Sequence, residues 1–203
     1  MRRRIFALGL LCCSSAACSL LSAPPDSTRF VILASVDELS GGVPAAAAVS
    51  SLRVGLGPIA CPEYLRGREL VTREDGTRIA HAPNERWAEP FENSLERVLA
   101  VDFQRELGIG QLTLHPWYET AQPDVQIEIA FARCELEPGG KAVVACHWIV
   151  RRLGPDGAEL SRDAHVERSV TGTDGAASAR ALSECLAELT RTIAGAVREM
   201  TPR

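Results

Sequence analysis

The chain has 203 residues, of which 22 are Lys or Arg and 26 are Asp or Glu, and its formal net charge at pH 7 is −4. Removing residues 1–17, the predicted signal peptide described below, leaves 19 basic residues against 26 acidic ones, a net charge of −7. Because phosphate neutralisation needs clustered Lys and Arg, a chain with this balance and scattered arginines is a poor nucleic-acid binder. We therefore expect no nucleic-acid partner.

The N-terminus has the three parts of an export signal. Early arginines are followed by an apolar run at 5–11, which is far shorter than the roughly 20 residues of a membrane-spanning helix. Small residues then lead to Cys18, as in the lipobox of bacterial lipoproteins. The pattern predicts a signal peptide over 1–17, cleavage after Ala17, and anchoring of the chain to a membrane by an S-diacylglycerol and an N-acyl chain such as palmitate on Cys18. An ordinary secretory signal cut at Ala17 or Ala23 is the alternative.

The residues after Cys18 indicate where the anchored chain resides. Ser19 stands where lipoproteins retained at the inner membrane usually have Asp, which favours the periplasmic face of the outer membrane. Residues 18–27 predict a lipidated tether, and residues 28–203 are long enough for one domain with its own core. No segment beyond Cys18 is apolar enough to span a bilayer.

The first half of the domain predicts strands. It contains a β-branched run, an alternating apolar run, and two short runs on either side of Asp75-Gly76, a dipeptide typical of hairpin turns. These patterns predict strands over 29–36, 51–60, 68–73 and 77–82.

Two later segments have apolar residues at helical spacing. The first begins at Pro90 and ends before Gly108, and the second follows Asp174, which can cap it. They predict helices over 90–107 and 175–200, with strands between them over 111–115, 125–131, 142–152 and 158–171. Each helix has one apolar stripe to bury. The predicted fold is therefore α+β, a single mixed or antiparallel sheet with the two amphipathic helices packed on one face.

The last strands include a hairpin around residues 138–141. A two-residue glycine turn there predicts that Phe131 faces Trp148, which agrees with the apolar pattern of both strands. In that register Cys134 and Cys146 are not opposite each other. A shift by one residue would bring them together, so a disulfide between them is left open.

No motif of a catalytic or metal site is present. The sequence has no glycine-rich phosphate loop, no His-Glu-x-x-His, no Cys-x-x-Cys and no Gly-x-Ser-x-Gly. The four histidines lie in separate predicted strands and share no metal-ligand spacing. We therefore expect no catalytic residue, no metal, and no cofactor apart from the lipid on Cys18, so the chain is predicted not to be an enzyme.

Two segments carry a family resemblance. They are LRVGLGPIACPEYLRGRELVTR at 52–73 and RWAEP at 86–90, the latter followed by a predicted helix that ends near Leu107. In this order they resemble the PqiC/YmbA family, the auxiliary lipoproteins of ABC-type and MCE-type transport systems. The sequence departs from the family pattern after Leu65, where residues 66–69 read Arg-Gly-Arg-Glu instead of the usual Asp-Arg-Pro-Gln.

The resemblance implies a function that the residue patterns alone do not. It implies a non-enzymatic docking subunit at the outer membrane, which works with a periplasmic MCE-domain protein and inner-membrane transport components in lipid transport that maintains the envelope. It also implies a homo-oligomeric ring. The candidates for partner or subunit contact are then Pro62, Tyr64, Leu65, Arg66, Arg73, Arg86, Trp87 and Glu89.

Two alternatives remain. Residues 86–90 also fit an architectural role, in which Trp87 fills the core and Glu89 lies at the positive end of the helix dipole. For the whole chain, the alternative function is a lipoprotein activator that binds a cell-wall synthase. Such an activator must reach toward the inner membrane, whereas the nine residues at 19–27 extend only about 30 Å.

Overall fold

The computed structural model describes residues 27–41, 51–118, 122–155 and 157–201. The predicted signal peptide, the cleavage residue Ala17, the acylated Cys18 and all but the last residue of the predicted tether lie outside these ranges. None of the helices in the described ranges combines the length and the apolar character needed to cross a membrane.

The strands of the described residues form one mixed sheet. They are β1 (Arg29–Val31), β2 (Val54–Ala60), β3 (Glu69–Arg73), β4 (Ile79–Trp87), β5 (Leu112–Leu114), β6 (Val125–Glu137), β7 (Lys141–Arg152) and β8 (Glu159–Ser169).

The long strand β6 lies at the centre of the sheet. On one side β7 and then β8 follow it in antiparallel order. On the other side β2 runs parallel to the first half of β6 and is flanked by β5, while β3 pairs with β6 near its end and is followed by β4 and β1. β1 and β5 therefore lie at the two far ends of this side, and β8 forms the opposite edge.

The helices are α1 (Val36–Leu39), α2 (Phe91–Leu107) and α3 (Gly175–Met200). α2 follows Pro90 and ends at Gly108, whose φ of 62° is the left-handed conformation that glycine adopts readily. The Asp174 side chain accepts the N–H of Ala177 at the start of α3. α3 packs along β7 and β8, and α2 lies beside α3. The predicted α+β fold is confirmed.

Burial alternates along β6 and β7 because successive side chains of a strand point to opposite faces. One face packs against α3, and its buried side chains include Ile127, Ile129, Trp148 and Val150. The opposite face carries polar side chains from three strands and is called the open face below. They include Glu128, Glu135, His147, Arg151 and Asp163.

The first predicted strand is too long. β1 ends at Val31, and α1 begins at Val36 within the range predicted as strand. The reason is a capping box at Ser35, whose hydroxyl accepts the N–H of Glu38 while the Glu38 carboxylate accepts the N–H of Ser35 at 2.7 Å.

The predicted register of the β6–β7 hairpin is wrong. Glu137 pairs with Lys141, so the loop has three residues, and its two glycines have φ values of 85° and 74°. A β-bulge between Phe131 and Arg133 shifts the pairing once more. Phe131 therefore lies opposite Cys146, two residues before Trp148 along β7.

The disulfide left open by the sequence is not formed. Cys134 lies opposite Val144, and Cys146 lies opposite Phe131. Both thiols are free, and so are Cys61 and Cys185. Cys134, Cys146 and Cys185 are buried, and burial raises the pKa of each of these thiols.

Candidate functional site

Two of the predicted contact residues, Tyr64 and Arg73, meet at a buried carboxylate. Tyr64 lies in a 3₁₀ turn (Glu63–Leu65) that follows β2, and Arg73 ends β3. The Tyr64 hydroxyl donates a 2.7 Å hydrogen bond to Oε2 of Glu135, and Arg73 Nε donates one of 2.5 Å to Oε1. Arg73 Nη2 also donates to the Tyr64 hydroxyl at 3.2 Å, and its guanidinium carbon lies 5.8 Å from the centre of the Tyr64 ring.

Arg133 completes this arrangement from the open face of β6. Its Nε donates to Oε1 of Glu135 at 2.9 Å, and its Nη2 donates to Glu137 at 2.5 Å. The Glu135 side chain is 0% exposed, so its charge is balanced by two guanidinium groups rather than by water. Tyr64, Arg73, Arg133 and Glu135 are called the Glu135 cluster below.

The charge state of the Glu135 cluster follows from its contacts. Burial raises the pKa of Glu135, but hydrogen bonds from Arg73, Tyr64 and Arg133 outweigh it and hold that pKa below its usual value. Burial, together with the hydrogen bond to Glu135, raises the pKa of Tyr64 to about 12. At neutral pH Glu135 is therefore ionised and Tyr64 is a protonated donor. The arrangement ties the 3₁₀ turn to the sheet.

The 3₁₀ turn itself has an inner and an outer side. Leu65 is buried in the core, and Pro62 precedes the turn and is half-buried. Arg66 is exposed and pairs with Glu63 at 2.8 Å and with Glu92 at 3.7 Å. Of the predicted contact residues in and beside this turn, Arg66 is therefore the one whose charged group reaches the surface.

Arg86 and Trp87 both make contacts within the domain. Trp87 is buried and packs on Phe91 with a distance of 5.0 Å between the ring centres. Arg86 bends back along its own strand and donates to the carbonyls of Ala82 and Glu85 at 2.7 and 3.0 Å. Trp87 thus fills the core at the start of α2.

Glu89 joins three parts of the chain. Its Oε1 accepts hydrogen bonds from the Ser94 hydroxyl at 2.7 Å and from Arg97 Nε at 3.1 Å, and Arg97 Nη2 donates to the carbonyl of Leu33 at 3.0 Å. The Ser94 hydroxyl, followed by Arg97, lowers the pKa of Glu89. The contact residues predicted as one set are therefore divided among the core, the Glu135 cluster, the start of α2 and the exposed turn at Arg66.

The open face also carries a triad that the sequence does not indicate. His147 Nε2 lies 2.9 Å from the Ser161 hydroxyl, and its Nδ1 lies 2.9 Å from Oδ1 of Asp163. The connectivity is that of a Ser–His–Asp triad. Asp163 is 89% exposed, however, so water competes with His147 for its carboxylate, and this triad lies open to solvent in the part of the chain that the structure describes.

A shallow groove of about 600 Å³ runs beside this triad, over the β-bulge of β6. Ala130 and Ala145 give it a floor of small side chains, and His165 lies at its border. Within the four described ranges, no three His, Cys, Asp or Glu side chains are placed to hold a metal ion.

Comparison with known proteins shows that this chain matches one family model and is similar to two solved structures. The sequence model of the family described as ABC-type transport auxiliary lipoprotein component matches residues 38–194. The crystal structure of an uncharacterized protein matches with a TM-score of 0.64 at 17% identity, covering 86% of this chain and 99% of that one. A DUF330 protein from Xanthomonas campestris matches with a TM-score of 0.57 at 20% identity, covering 78% and 93%. At these identities the two structures show a shared fold. No curated protein matches the chain.

Proposed function

Because the chain belongs to the family of ABC-type transport auxiliary lipoprotein components, we propose that it is a non-enzymatic docking subunit of an MCE-type lipid transport system that maintains the envelope. The observation that carries the proposal is the family match, which spans residues 38–194 and includes both motif segments. This agrees with the resemblance to PqiC/YmbA lipoproteins that the sequence shows at 52–73 and 86–90.

In this proposal, acyl chains on Cys18 hold the domain at the periplasmic face of the outer membrane. The lipobox before Cys18 and the Ser at position 19 support this placement. Several acyl chains on one residue give the stable anchoring that a single chain does not. The domain then receives a periplasmic MCE-domain protein that connects to inner-membrane transport components.

The structure offers a firm surface for such docking. The Glu135 cluster fixes the 3₁₀ turn to the sheet, and Arg66 extends from that turn with half of its side chain exposed. A charge on a rigid element keeps its orientation toward a partner at low entropic cost. The outer edge of β8 has no neighbour within the described residues and supplies a subunit contact for a ring.

The proposal is tested by affinity purification of the acylated protein from cross-linked membranes. We expect an MCE-domain protein and inner-membrane transport components to co-purify. Arg66→Glu reverses the charge on the docking surface and is expected to lower their yield several-fold, because like charges at an interface disfavour association. The matched control Arg180→Glu reverses an exposed charge on α3 and is expected to leave the yield unchanged.

Other outcomes contradict the proposal. Recovery of a cell-wall synthase without an MCE-domain protein would favour the activator role instead. Intact-mass measurement of the same material tests the anchor, since Cys18→Ser is expected to remove the acyl mass and release the chain from the membrane fraction. A parent chain that carries no acyl mass would overturn the anchoring.

A further inference from the structure

Two large apolar side chains are exposed at the start of the folded domain. Phe30 is 65% exposed and Ile32 is 50% exposed. They alternate with Val31, which packs against the core, and with Leu33, which is fully buried. Because alternate residues of an extended chain point to opposite sides, Phe30 and Ile32 share the outward side.

The backbone beneath these side chains is fixed. The N–H of Ala88 donates to the carbonyl of Val31 at 2.8 Å, and Arg97 donates to the carbonyl of Leu33 at 3.0 Å. The N–H of Ala34 donates to the Ser183 hydroxyl of α3 at 3.0 Å. Phe30 and Ile32 are therefore displayed by a segment that is held from both sides, not by a loose end.

Three arginines lie in the same region as Phe30. Arg29 precedes it, and Arg86 is its partner across the β1–β4 pairing. Arg68 lies on the other side of β4, where its carbonyl accepts the N–H of Trp87 at 2.7 Å. Within the described part of the chain, none of these three guanidiniums forms an ion pair with a carboxylate.

Two glutamates lie opposite two of these arginines without an ion pair: Glu85 is the partner of Arg29 across β1–β4, and Glu69 is the partner of Arg86 across β3–β4. Glu85 lies against Gly175 at the start of α3, and Glu69 lies over Gly67. Arg29, Arg68 and Arg86 are thus gathered in one region of a mature chain whose net charge is −7. Arg29, Phe30, Ile32, Arg68 and Arg86 together are called the β1 surface.

We propose that the β1 surface rests on the lipid bilayer that carries the anchor, an inference that depends on the acylation of Cys18 in the proposed function. Phe30 follows Cys18 by twelve residues, which extend to roughly 40 Å at most. Among the described elements, β1 is therefore the one nearest in sequence to the anchor. Arginines attract anionic phospholipid headgroups, and Phe30 and Ile32 enter the interfacial layer between headgroups and acyl chains.

The size of the β1 surface favours a membrane over a protein partner. Two apolar side chains bury at most a few hundred Å², whereas a stable protein interface buries about 800 Å² on each partner. A contact this small is too weak to hold a free domain. It suffices for a tethered one, because a short tether keeps the surface at millimolar effective concentration near the bilayer.

The test uses the full-length acylated protein in vesicles of phosphatidylethanolamine and phosphatidylglycerol, with and without phospholipids brominated on their acyl chains. In Phe30→Trp, we expect brominated lipid to quench the added emission roughly twofold or more, because the side chain reaches the acyl boundary. The emission of the parent protein is subtracted. The matched control is Leu114→Trp in β5, an exposed apolar residue at the other end of the strand order, and no quenching is expected there.

A second variant tests the arginines. Arg29→Glu with Arg68→Glu, introduced into Phe30→Trp, is expected to reduce the quenching in vesicles that contain phosphatidylglycerol. Absence of quenching in a chain whose mass shows full acylation overturns the inference and leaves the anchor intact. A blue shift of Phe30→Trp emission that depends on protein concentration in detergent, without quenching by bromine, shows that a second copy covers the surface and also overturns it. A chain without acyl mass overturns the proposed function and this inference together.

Discussion

The Glu135 side chain is buried from water, and its carboxylate balances the charges of two guanidinium groups. Glu135→Ala leaves Arg73 and Arg133 without their shared partner. We expect the free energy of unfolding to fall by about 2–3 kcal/mol, less than for fully buried pairs because both arginines are about one-quarter exposed. Urea unfolding measures the change. The control Glu128→Ala removes a partly exposed partner of Arg151 and is expected to cost less than about 1 kcal/mol, so equal losses would contradict the role of burial.

Asp102 in α2 makes stability depend on pH. One of its carboxylate oxygens accepts the N–H of Val36 at 2.8 Å, and the other has no hydrogen-bond partner among the described residues. Burial, with smaller contributions from the charges of Glu106 and Glu38, raises its pKa from 3.8 to about 6. The folded state therefore binds this proton more tightly than the unfolded chain does. Stability from this group is present below about pH 4 and is lost as the pH rises through about 6.

Asp102→Asn tests this linkage. The amide keeps an acceptor for Val36 and cannot ionise, so we expect the variant to be more stable than the parent at pH 7 by about 1–3 kcal/mol. Below about pH 4 the gain should vanish. Chemical unfolding at both pH values measures it, and an equal effect at the two pH values would show that the charge of Asp102 is not the cause.

Single residues also show where prediction from sequence ends. Tyr64 and Arg73 stand out in a motif, but their common partner Glu135 lies 62 residues beyond Arg73, in a strand of ordinary alternation. Nothing in its neighbourhood distinguishes it from Glu128. The pairing exists because β3 and β6 are neighbours in the sheet, and that adjacency is a property of the folded chain.

At the scale of elements, the cap of α3 is expected to matter most at its first turn. Asp174→Ala removes the acceptor for the Ala177 N–H and should cost about 1 kcal/mol. In a domain of this size that corresponds to a loss of about 2–4 °C in Tm. Thermal unfolding by circular dichroism measures it. Asp174→Asn retains a capping oxygen and serves as the control, and a loss as large as that of the Ala variant would exclude capping as the cause.

Helix ends could be predicted, because they depend on residues adjacent in sequence. Strand register could not, because it depends on contacts with residues far away in the chain. The bounds of α2 and α3 follow from Pro90, Gly108 and Asp174, because helix ends are set by adjacent residues. The β6–β7 register depends on a bulge after Phe131 that no local pattern announces. Likewise the capping box at Ser35 begins α1 inside a segment whose β-branched composition predicts a strand.

At the scale of the whole molecule, the question is whether the Ser161–His147–Asp163 triad gives the protein an activity. We expect that the native chain incubated with a fluorophosphonate probe forms no adduct on Ser161, because water competes with His147 for the exposed Asp163 carboxylate and the triad is not desolvated. Mass spectrometry of the peptide that contains Ser161 measures this. An adduct that is lost in His147→Ala would contradict the non-enzymatic role.

The architecture of the whole chain was predictable because two helices with single apolar stripes require one sheet face to cover them. The contact surface was less so. Motif residues at 62–73 and 86–90 were predicted as one set, yet Leu65 and Trp87 face the core while Arg66 faces solvent. The motif identifies these residues, but only the packing of the folded chain shows which of their side chains are exposed.

The three-residue loop and the bulge of the β6–β7 hairpin determine whether two of its cysteines can form a disulfide. They hold Cys134 opposite Val144 and Cys146 opposite Phe131, so the two sulfurs are kept apart once the strands have paired. A hairpin that slipped by two residues would place the cysteines face to face, and in an oxidising compartment a covalent bond would then seal the error. In the observed register the two thiols are buried and are not opposite each other, so the native pairing disfavours a bond between them.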